Sequence, residues 1–391
     1  MVECGFIVEE NTDELSFLKF RFYRGAFSGR NLSLILLPTR VCNFKCVYCF
    51  EKEINDTMTD EDCKNILQFV RREIYIRKPE ALVVSWYGGE PLLAFNTIKN
   101  LSMELLSITK SSKIEYEAGI VTNGYLLDEN IAQELVNLNV KLIQITLDGP
   151  AEIHNKRRPL KNGSPTFHKI RESIVIAKRH FPQVEIRLNV DKENADVILE
   201  FLKEADWLYG KNTIVRPGRL RDYTDECFAY SSQERGLSAN IYEDLYRKVR
   251  EITSSKDEAV DPLFPSALPV RSFYCGAQTI NTFTIGPGCR VYKCTSHLNP
   301  GDEVGALNPD GKFTPNKNFI NYFFDQHPCE VEPCKSCKIL PLCMGGCQVI
   351  RKKCKDEDEL KAAICDHFWS LLNKFLEKTV LEQKGCINER W

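Results

Sequence analysis

Seventeen cysteines, unevenly placed in 391 residues, constrain this chain more than any other feature. Three lie within eight residues, at Cys42, Cys46 and Cys49, and ten lie between Cys275 and Cys365. The other four, Cys4, Cys63, Cys227 and Cys386, are scattered and read as ordinary buried thiols. An odd count cannot pair completely as disulfides, and a chain of this length can bury a core without them. The first eleven residues carry acids and no basic segment leading into an apolar run, so no secretory signal is visible. The longest apolar runs, 32–37 and 81–86, fall far short of the ~20 residues a membrane span needs. A cytoplasmic, reducing setting is therefore the expectation. Clustered thiols in such a setting signify soft-metal ligation. Lysine plus arginine (52) nearly balance aspartate plus glutamate (54), whereas a nucleic-acid binder carries a basic surplus. Neither nucleic acid nor membrane is an expected partner.

The first half alternates short β-branched apolar segments with amphipathic ones. Strands are predicted at 32–37, 81–87, 114–122, 141–147, 184–190 and 213–217, and helices at 59–76, 93–109, 128–138, 166–179 and 194–207. Thr59-Asp60-Glu61-Asp62 marks a helix start, with acids in the first turn where the dipole favours them. Strands alternating with helices imply an α/β fold with a parallel sheet. Six units are too few for a closed eight-fold barrel and suit a partial (β/α)6 barrel of TIM type. In such a barrel, function gathers on the loops after the strands' C-terminal ends.

The first cysteine group sits on such a loop, in Thr39-Arg40-Val41-Cys42-Asn43-Phe44-Lys45-Cys46-Val47-Tyr48-Cys49-Phe50. Three thiolates can hold three irons of a cubane cluster and leave the fourth iron open. Structural zinc is the other possibility, but it takes four ligands and no fourth Cys or His lies nearby. The spacing Cys-x3-Cys-x-aromatic-Cys after a first strand resembles the signature of the radical S-adenosylmethionine (SAM) superfamily. The resemblance implies that Cys42, Cys46 and Cys49 ligate a [4Fe–4S] cluster whose open iron chelates SAM, with Tyr48 near the adenine. After the second strand comes Trp86-Tyr87-Gly88-Gly89-Glu90-Pro91, similar to the family's GGEP loop, which binds the SAM amino group. Its glycines permit a close backbone approach to a ligand, and Glu90 offers a carboxylate to a cation. Thr122-Asn123-Gly124 ends the third strand. Thr146-Leu147-Asp148-Gly149-Pro150 ends the fourth and resembles the family's Ser-x-Asp-Gly segment, with Thr146 keeping the hydroxyl. By the same resemblance, Arg158 of His154-Asn155-Lys156-Arg157-Arg158 helps to organise SAM, and Asn189, closing the fifth strand, contacts the ribose.

The second group is Cys334-x2-Cys337-x5-Cys343-x3-Cys347 followed by Cys365, preceded by Cys275 and by Gly288-Cys289-Arg290-Val291-Tyr292-Lys293-Cys294. Alone, the four-cysteine run is also compatible with a zinc ribbon. Behind a core of this kind it resembles the SPASM domain, which carries two auxiliary [4Fe–4S] clusters. Carried over by position, Cys334, Cys337, Cys343 and Cys365 hold the outer cluster, and Cys275, Cys294 and Cys347 the inner one. Cys289 stands where the family pattern has glycine. It is either the inner cluster's fourth ligand, folded back by the turn at 286–288, or a bystander that leaves that iron open. Cys329 and Cys354 have no slot and read as structural.

The implied organisation is a β lead-in at 1–31, the radical SAM barrel at 32–220, a helical bridge and linker at 221–274, SPASM at 275–365, and a closing helix and tail at 366–391. The lead-in resembles that of peptide-modifying members of the family. The favoured expectation is a maturase that cleaves SAM to a 5′-deoxyadenosyl radical and abstracts hydrogen from a ribosomally made precursor peptide. The outcome would be a cross-link, an excision or another modification. The partners implied are that peptide, a separate small recognition protein, and a flavodoxin- or ferredoxin-type electron donor. One alternative is an anaerobic sulfatase-maturating, formylglycine-forming enzyme. Those enzymes place a general-base Asp directly after the residue equivalent to Cys294, where this chain has Thr295, a poor base at neutral pH. A non-catalytic iron–sulfur scaffold is the other alternative, and it would need neither Glu90 nor a glycine loop. The sequence names no catalytic base.

Overall fold

A computed structural model describes residues 9, 11–51, 54–221, 232–254, 271–373 and 375–376. The first described element is a helix, where the sequence predicts a β lead-in over 1–31. Helix α1 (Glu14–Phe27) starts at Asp13, whose carboxylate accepts the Ser16 N–H at 3.0 Å, and it carries Glu14 in its first turn and Arg24 in its last. Phe17, Leu18, Phe20 and Phe22 read as a strand-like alternation, but the set that packs is Leu18, Phe22 and Ala26, four residues apart. The helical period therefore wins, and Phe17 and Phe20 point outward.

The chain divides into two compact units. One comprises Met1–Gly29, Ser266–Ile280 and Tyr322–Trp391, and the other Arg30–Pro265 and Asn281–Asn321. The larger unit is built on six parallel strands hydrogen-bonded in chain order: β1 (Asn31–Leu36), β2 (Ala81–Trp86), β3 (Glu115–Thr122), β4 (Val140–Thr146), β5 (Gln183–Val190) and β6 (Thr213–Arg219). Helices α2 (Asp60–Arg77), α3 (Phe95–Ser112) and α4 (Glu129–Asn137) make the first crossovers. Helices α5 (Ala151–Arg157), α6 (Phe167–His180) and α7 (Ala195–Glu204) make the rest, and α8 (Ser232–Arg235) and α9 (Ala239–Ser254) follow β6. This is the predicted partial TIM-type barrel. Thr59 caps α2 in a reciprocal box, its hydroxyl accepting the Asp62 N–H while Asp62 accepts the Thr59 N–H. Leu32, Leu34, Leu36, Leu82, Val84 and Trp86 are buried between sheet and helices, each worth roughly 1.5–3 kcal/mol over exposure. Because the strands run parallel, the loops after β1 to β5 all emerge at one end. Those loops carry the predicted motifs.

The far side of β1 differs from the expected domain plan. Strand β7 (Thr282–Ile285) pairs parallel with β1, and β8 (Arg290–Tyr292), β9 (Gly305–Leu307) and β10 (Phe313–Pro315) extend the sheet antiparallel to ten strands. Residues 281–321, predicted within the C-terminal domain, therefore belong with the barrel: the sheet edge at β1 has unpaired backbone groups, and β7 satisfies them. In the smaller unit, Phe323 and Phe324 at the end of α10 (Lys317–Phe324) join Tyr23, Phe27 and His327 in an aromatic group. Helices α11 (Leu340–Cys343), α12 (Gln348–Lys353) and α13 (Glu357–Leu360) follow. The predicted closing helix and tail at 366–391 is helical over 366–373 and 375–376. Its end, residues 222–231 and 255–270 of the predicted bridge and linker, and Cys4, Cys227 and Cys386 lie outside the described residues. Among the described residues no helix is long and apolar enough to cross a membrane.

Candidate active site and metal centres

The loop after β1 is fixed by its backbone. Lys45 N–H donates to Pro159 O at 2.9 Å, Val47 N–H to Arg157 O at 3.0 Å, and Lys161 N–H to Asn43 O at 3.0 Å, so the segment after α5 clamps the cysteine loop. Within it Cys42, Cys46 and Cys49 face one another, and burial raises all three thiols, Cys42 to about 12. Protonated thiols are poor ligands, and a bound soft cation reverses that preference by taking the thiolate form. The Phe44 N–H at 3.4 Å and the Asn123 amide at 4.0 Å point at the Cys42 sulfur. Three thiols aided by N–H donors fit a cluster that keeps one iron open. Among the described residues no three Cys, His, Asp or Glu side chains group closely enough for a single ion. A cubane, each of whose irons takes one thiolate, sets its ligands farther apart than tetrahedral zinc does.

The glycines of the loop after β2 also permit a close approach within the chain itself. A Cβ on Gly88, at φ +128°, would lie 2.3 Å from Thr39 O, and one on Gly89 would lie 2.4 Å from Val41 O. The close approach is to the cysteine loop itself. Gly89 and Glu90 N–H groups bond to Thr39 O and Val41 O there, at 3.3 and 2.9 Å. Glu90 is fully buried, and Pro91 beside it opens a short 3₁₀ turn. The Glu90 carboxylate accepts from Leu92 N–H, Thr122 Oγ1 and Asn123 N–H at 3.0, 2.7 and 2.7 Å, while burial holds its proton affinity above the usual carboxylate range. It faces Cys42 and Arg158.

Three of the predicted SAM contacts meet in one group. The Tyr48 hydroxyl accepts from Arg158 Nη1 at 2.7 Å and from Asn189 Nδ2 at 3.0 Å, and the Arg157 guanidinium lies 5.1 Å above its ring. Arg158 also faces Cys46, and its Nε is buried without a partner, as is Asp148 Oδ1. Unspent polar atoms of both signs beside the thiols suit a zwitterionic ligand. Thr146 ends β4, buried at the same end of the sheet. Buried Arg157 pairs with Asp148 at 3.1 Å and Asp191 at 2.8 Å, tying α5 to the loops after β4 and β5.

Motif reading missed a second polar group. Glu51, Arg40 and Tyr87 converge from the β1 and β2 loops: the Tyr87 hydroxyl donates to Glu51, and burial, opposed by Arg40, pushes Glu51 up to about 7. Tyr87 also faces Cys49, Arg187 and Cys294. Only Glu51's place two residues after Cys49 hinted at it.

The C-terminal cysteines separate into two cases. In the smaller unit, Cys365 faces Cys334, Cys337 and Cys343, which also face one another. Burial and mutual repulsion raise Cys343 to about 11 and Cys365 to about 12. Four converging thiols complete a cubane's shell. Of the predicted inner set, Cys275 and Cys347 belong to the smaller unit, and Cys289 and Cys294 to the larger. Cys294 sulfur accepts the Ser296 N–H at 3.4 Å, and His297 beyond Thr295 pairs with Asp302 at 3.3 Å. Cys289, left open as ligand or bystander, is turned toward helix α2. Its side chain is buried against the start of α2, with the sulfur 3.7 Å from Asp62 O and with Cys63 and Asn65 facing it. The turn does fold back, with Gly288 and Cys289 at φ 69° and 55°, but it delivers the thiol to α2. Cys329 is buried and faces Cys334, and Cys354 donates to Ile350 O at 3.3 Å.

Residues 36–205 match the family described as the Radical SAM superfamily. In sequence the chain is 26% identical over 370 residues to a cysteine-type anaerobic sulfatase-maturating enzyme of Clostridium perfringens, covering 88% of this chain and 95% of that one. In fold it is similar to native anSMEcpe with bound AdoMet (TM-score 0.65, 23% identity, 88% of this chain and 99% of that one). It is also similar to Streptococcus suis SuiB bound to precursor peptide SuiA (TM-score 0.60, 16% identity, 87% and 76%).

Proposed function

We propose, from the match of residues 36–205 to the Radical SAM superfamily, that this chain is a maturase acting on a ribosomally made precursor peptide. Cys42, Cys46 and Cys49 would hold the SAM-binding cluster. Tyr48, Thr146, Arg158, Asn189 and the loop 88–91 would line the cofactor. When bound, that pair supplies one-electron cleavage of SAM and a hydrogen-abstracting radical, chemistry that belongs to the cofactor. The chain's own task is placement. Arg158 carries the reading: it faces the Cys46 thiol, donates to Tyr48, and keeps a buried Nε free for a carboxylate. Glu90, with three donors already on it, anchors Thr122 and Asn123 and has one oxygen accepting only once, which leaves room for an ammonium. Cys334, Cys337, Cys343 and Cys365 would hold one auxiliary cluster, and Cys275, Cys294 and Cys347 a second. A flavodoxin- or ferredoxin-type donor would supply electrons, and a small separate protein would present the peptide.

A second reading, sulfatase maturation, draws on the likeness to the Clostridium perfringens enzyme along 88% of the chain. Against it stands Thr295, which has no proton-accepting strength at neutral pH. One experiment separates the two. The anaerobically reconstituted protein is given SAM, a reductant, and either a cysteine- or serine-containing sulfatase peptide or short peptides encoded beside its gene. A neighbouring peptide altered in mass, with 5′-deoxyadenosine released, supports the first reading. A hydrazide-reactive aldehyde on the sulfatase peptide would install the second, and no 5′-deoxyadenosine with any peptide would remove both.

A further inference from the structure

We propose that Arg351 is the buried countercation of the C-terminal metal centre and sets its reduction potential. This rests on the reading of Cys334, Cys337, Cys343 and Cys365 as cluster ligands. Arg351 lies on α12, one turn after Cys347, whose carbonyl accepts its N–H at 2.9 Å. Its neighbours Lys352 and Lys353 complete a basic last turn, yet Lys352 reaches outward to Asp325 at 3.0 Å, whereas Arg351 is only 7% exposed. The guanidinium is held by two neutral acceptors: Nη1 donates to Gly345 O at 2.7 Å and Nη2 to Gln326 O at 3.0 Å. Its Nε is buried with no partner, and among the described residues no carboxylate pairs with it. The groups that face it are the thiols of Cys334, Cys343 and Cys347, the Tyr322 hydroxyl and the His327 ring.

The backbone is shaped to admit this side chain. Gly345 sits at φ +77°, and a Cβ there would lie 2.3 Å from Arg351 Nη1. Burying a cation without an anion is strongly unfavourable. Unlike lysine, arginine cannot relieve the cost by giving up its proton. A cubane on four thiolates is net anionic and becomes more so when it gains an electron. A fixed cation beside it therefore favours the reduced form, since net charge and hydrogen bonds to sulfur set such potentials. The unspent Nε–H gives the guanidinium a donor for a cluster sulfur.

The test uses full-length, anaerobically reconstituted protein carrying Cys42→Ala, Cys46→Ala and Cys49→Ala, so that only C-terminal signals remain. Iron and sulfide are counted, and the midpoint potential is read by EPR-monitored titration, in this background and with Arg351→Lys or Arg351→Gln added. Arg351→Gln should keep its iron and move the equilibrium at least about tenfold toward the oxidised form, about 59 mV lower for a one-electron couple. Arg351→Lys should retain most of the native potential. Loss of iron in Arg351→Gln with retention in Arg351→Lys would equally show that the charge is needed. An unchanged potential in Arg351→Gln would overturn the proposal and leave the cluster reading intact. Equal loss of iron in both variants would assign Arg351 to the shape of the site and also overturn it. A background protein with no C-terminal cluster would overturn the cluster reading and this proposal together.

Discussion

Single residues here divide by whether their neighbours lie close in sequence. Cys42, Cys46, Cys49 and Glu90 were legible because ligand spacing and a short glycine loop are local patterns. Glu51, Arg40 and Tyr87 were not, since their meeting depends on two loops separated by helix α2. Glu90 serves the fold as well as the proposed site. Glu90→Ala leaves the Thr122 hydroxyl and the Asn123 N–H buried without an acceptor, at about 1–3 kcal/mol each. The variant should melt lower and bind SAM more weakly in calorimetry while keeping its iron, and unchanged SAM affinity would remove Glu90 from the cofactor site. Sequence left Cys289 with two roles because its spacing to Cys294 says nothing about the direction in which the turn aims its sulfur. With that thiol on Asp62 O, Cys289→Ala should keep wild-type iron content and spectra, and a lost cluster signal would restore it as a ligand. His154 gives the pH test. Its Nδ1 accepts the Asp148 N–H, and burial lowers its pKa to about 3. Between the unfolded value of about 6.5 and that folded one, only the unfolded chain takes the proton, so stability falls as pH drops through this window. From pH 7 to pH 5 the wild type should lose up to about 2 kcal/mol more than His154→Gln in urea unfolding. Equal losses would contradict the buried neutral imidazole.

Elements were read well where periodicity and caps agreed. The reciprocal cap at Thr59 and Asp62 places α2 within one residue of its predicted start. The N-terminal segment was misread because Leu18, Phe20 and Phe22 satisfy a two-residue period, while the stripe that decides the matter, Leu18, Phe22 and Ala26, is buried by Met344, distant in sequence. Helix α5 went unpredicted: seven residues with three basic side chains near its end show no apolar face, and its place is fixed by the Arg157 pairs. The joint between the β1 and β2 loops makes its own prediction. In Gly88→Ala the new methyl meets Thr39 O, and a positive φ adds strain. Reconstituted Gly88→Ala should lose most of the iron bound by Cys42, Cys46 and Cys49 while the C-terminal signal stays. A wild-type spectrum would show the joint to be dispensable.

At the scale of the molecule, the alternation of six strands and their crossovers was enough to foresee the barrel, because right-handed parallel connections leave few topologies. The ten-stranded sheet was not foreseeable. Strands β7 to β10 are three or four residues long, and their attachment at β1 spans some 245 residues of sequence, from Leu36 to Thr282. The same attachment puts Cys294 in the unit with Cys42, Cys46 and Cys49, and leaves Cys275 and Cys347 in the other. As proposed, this chain joins a SAM-binding cluster to two auxiliary ones. Iron and acid-labile sulfide per polypeptide test it most directly, measured in the reconstituted wild type and in the Cys42→Ala, Cys46→Ala, Cys49→Ala protein. About twelve irons are expected in the first and about eight in the second. About four irons in the wild type, with zinc in place of the remainder and none left in the triple variant, would contradict it.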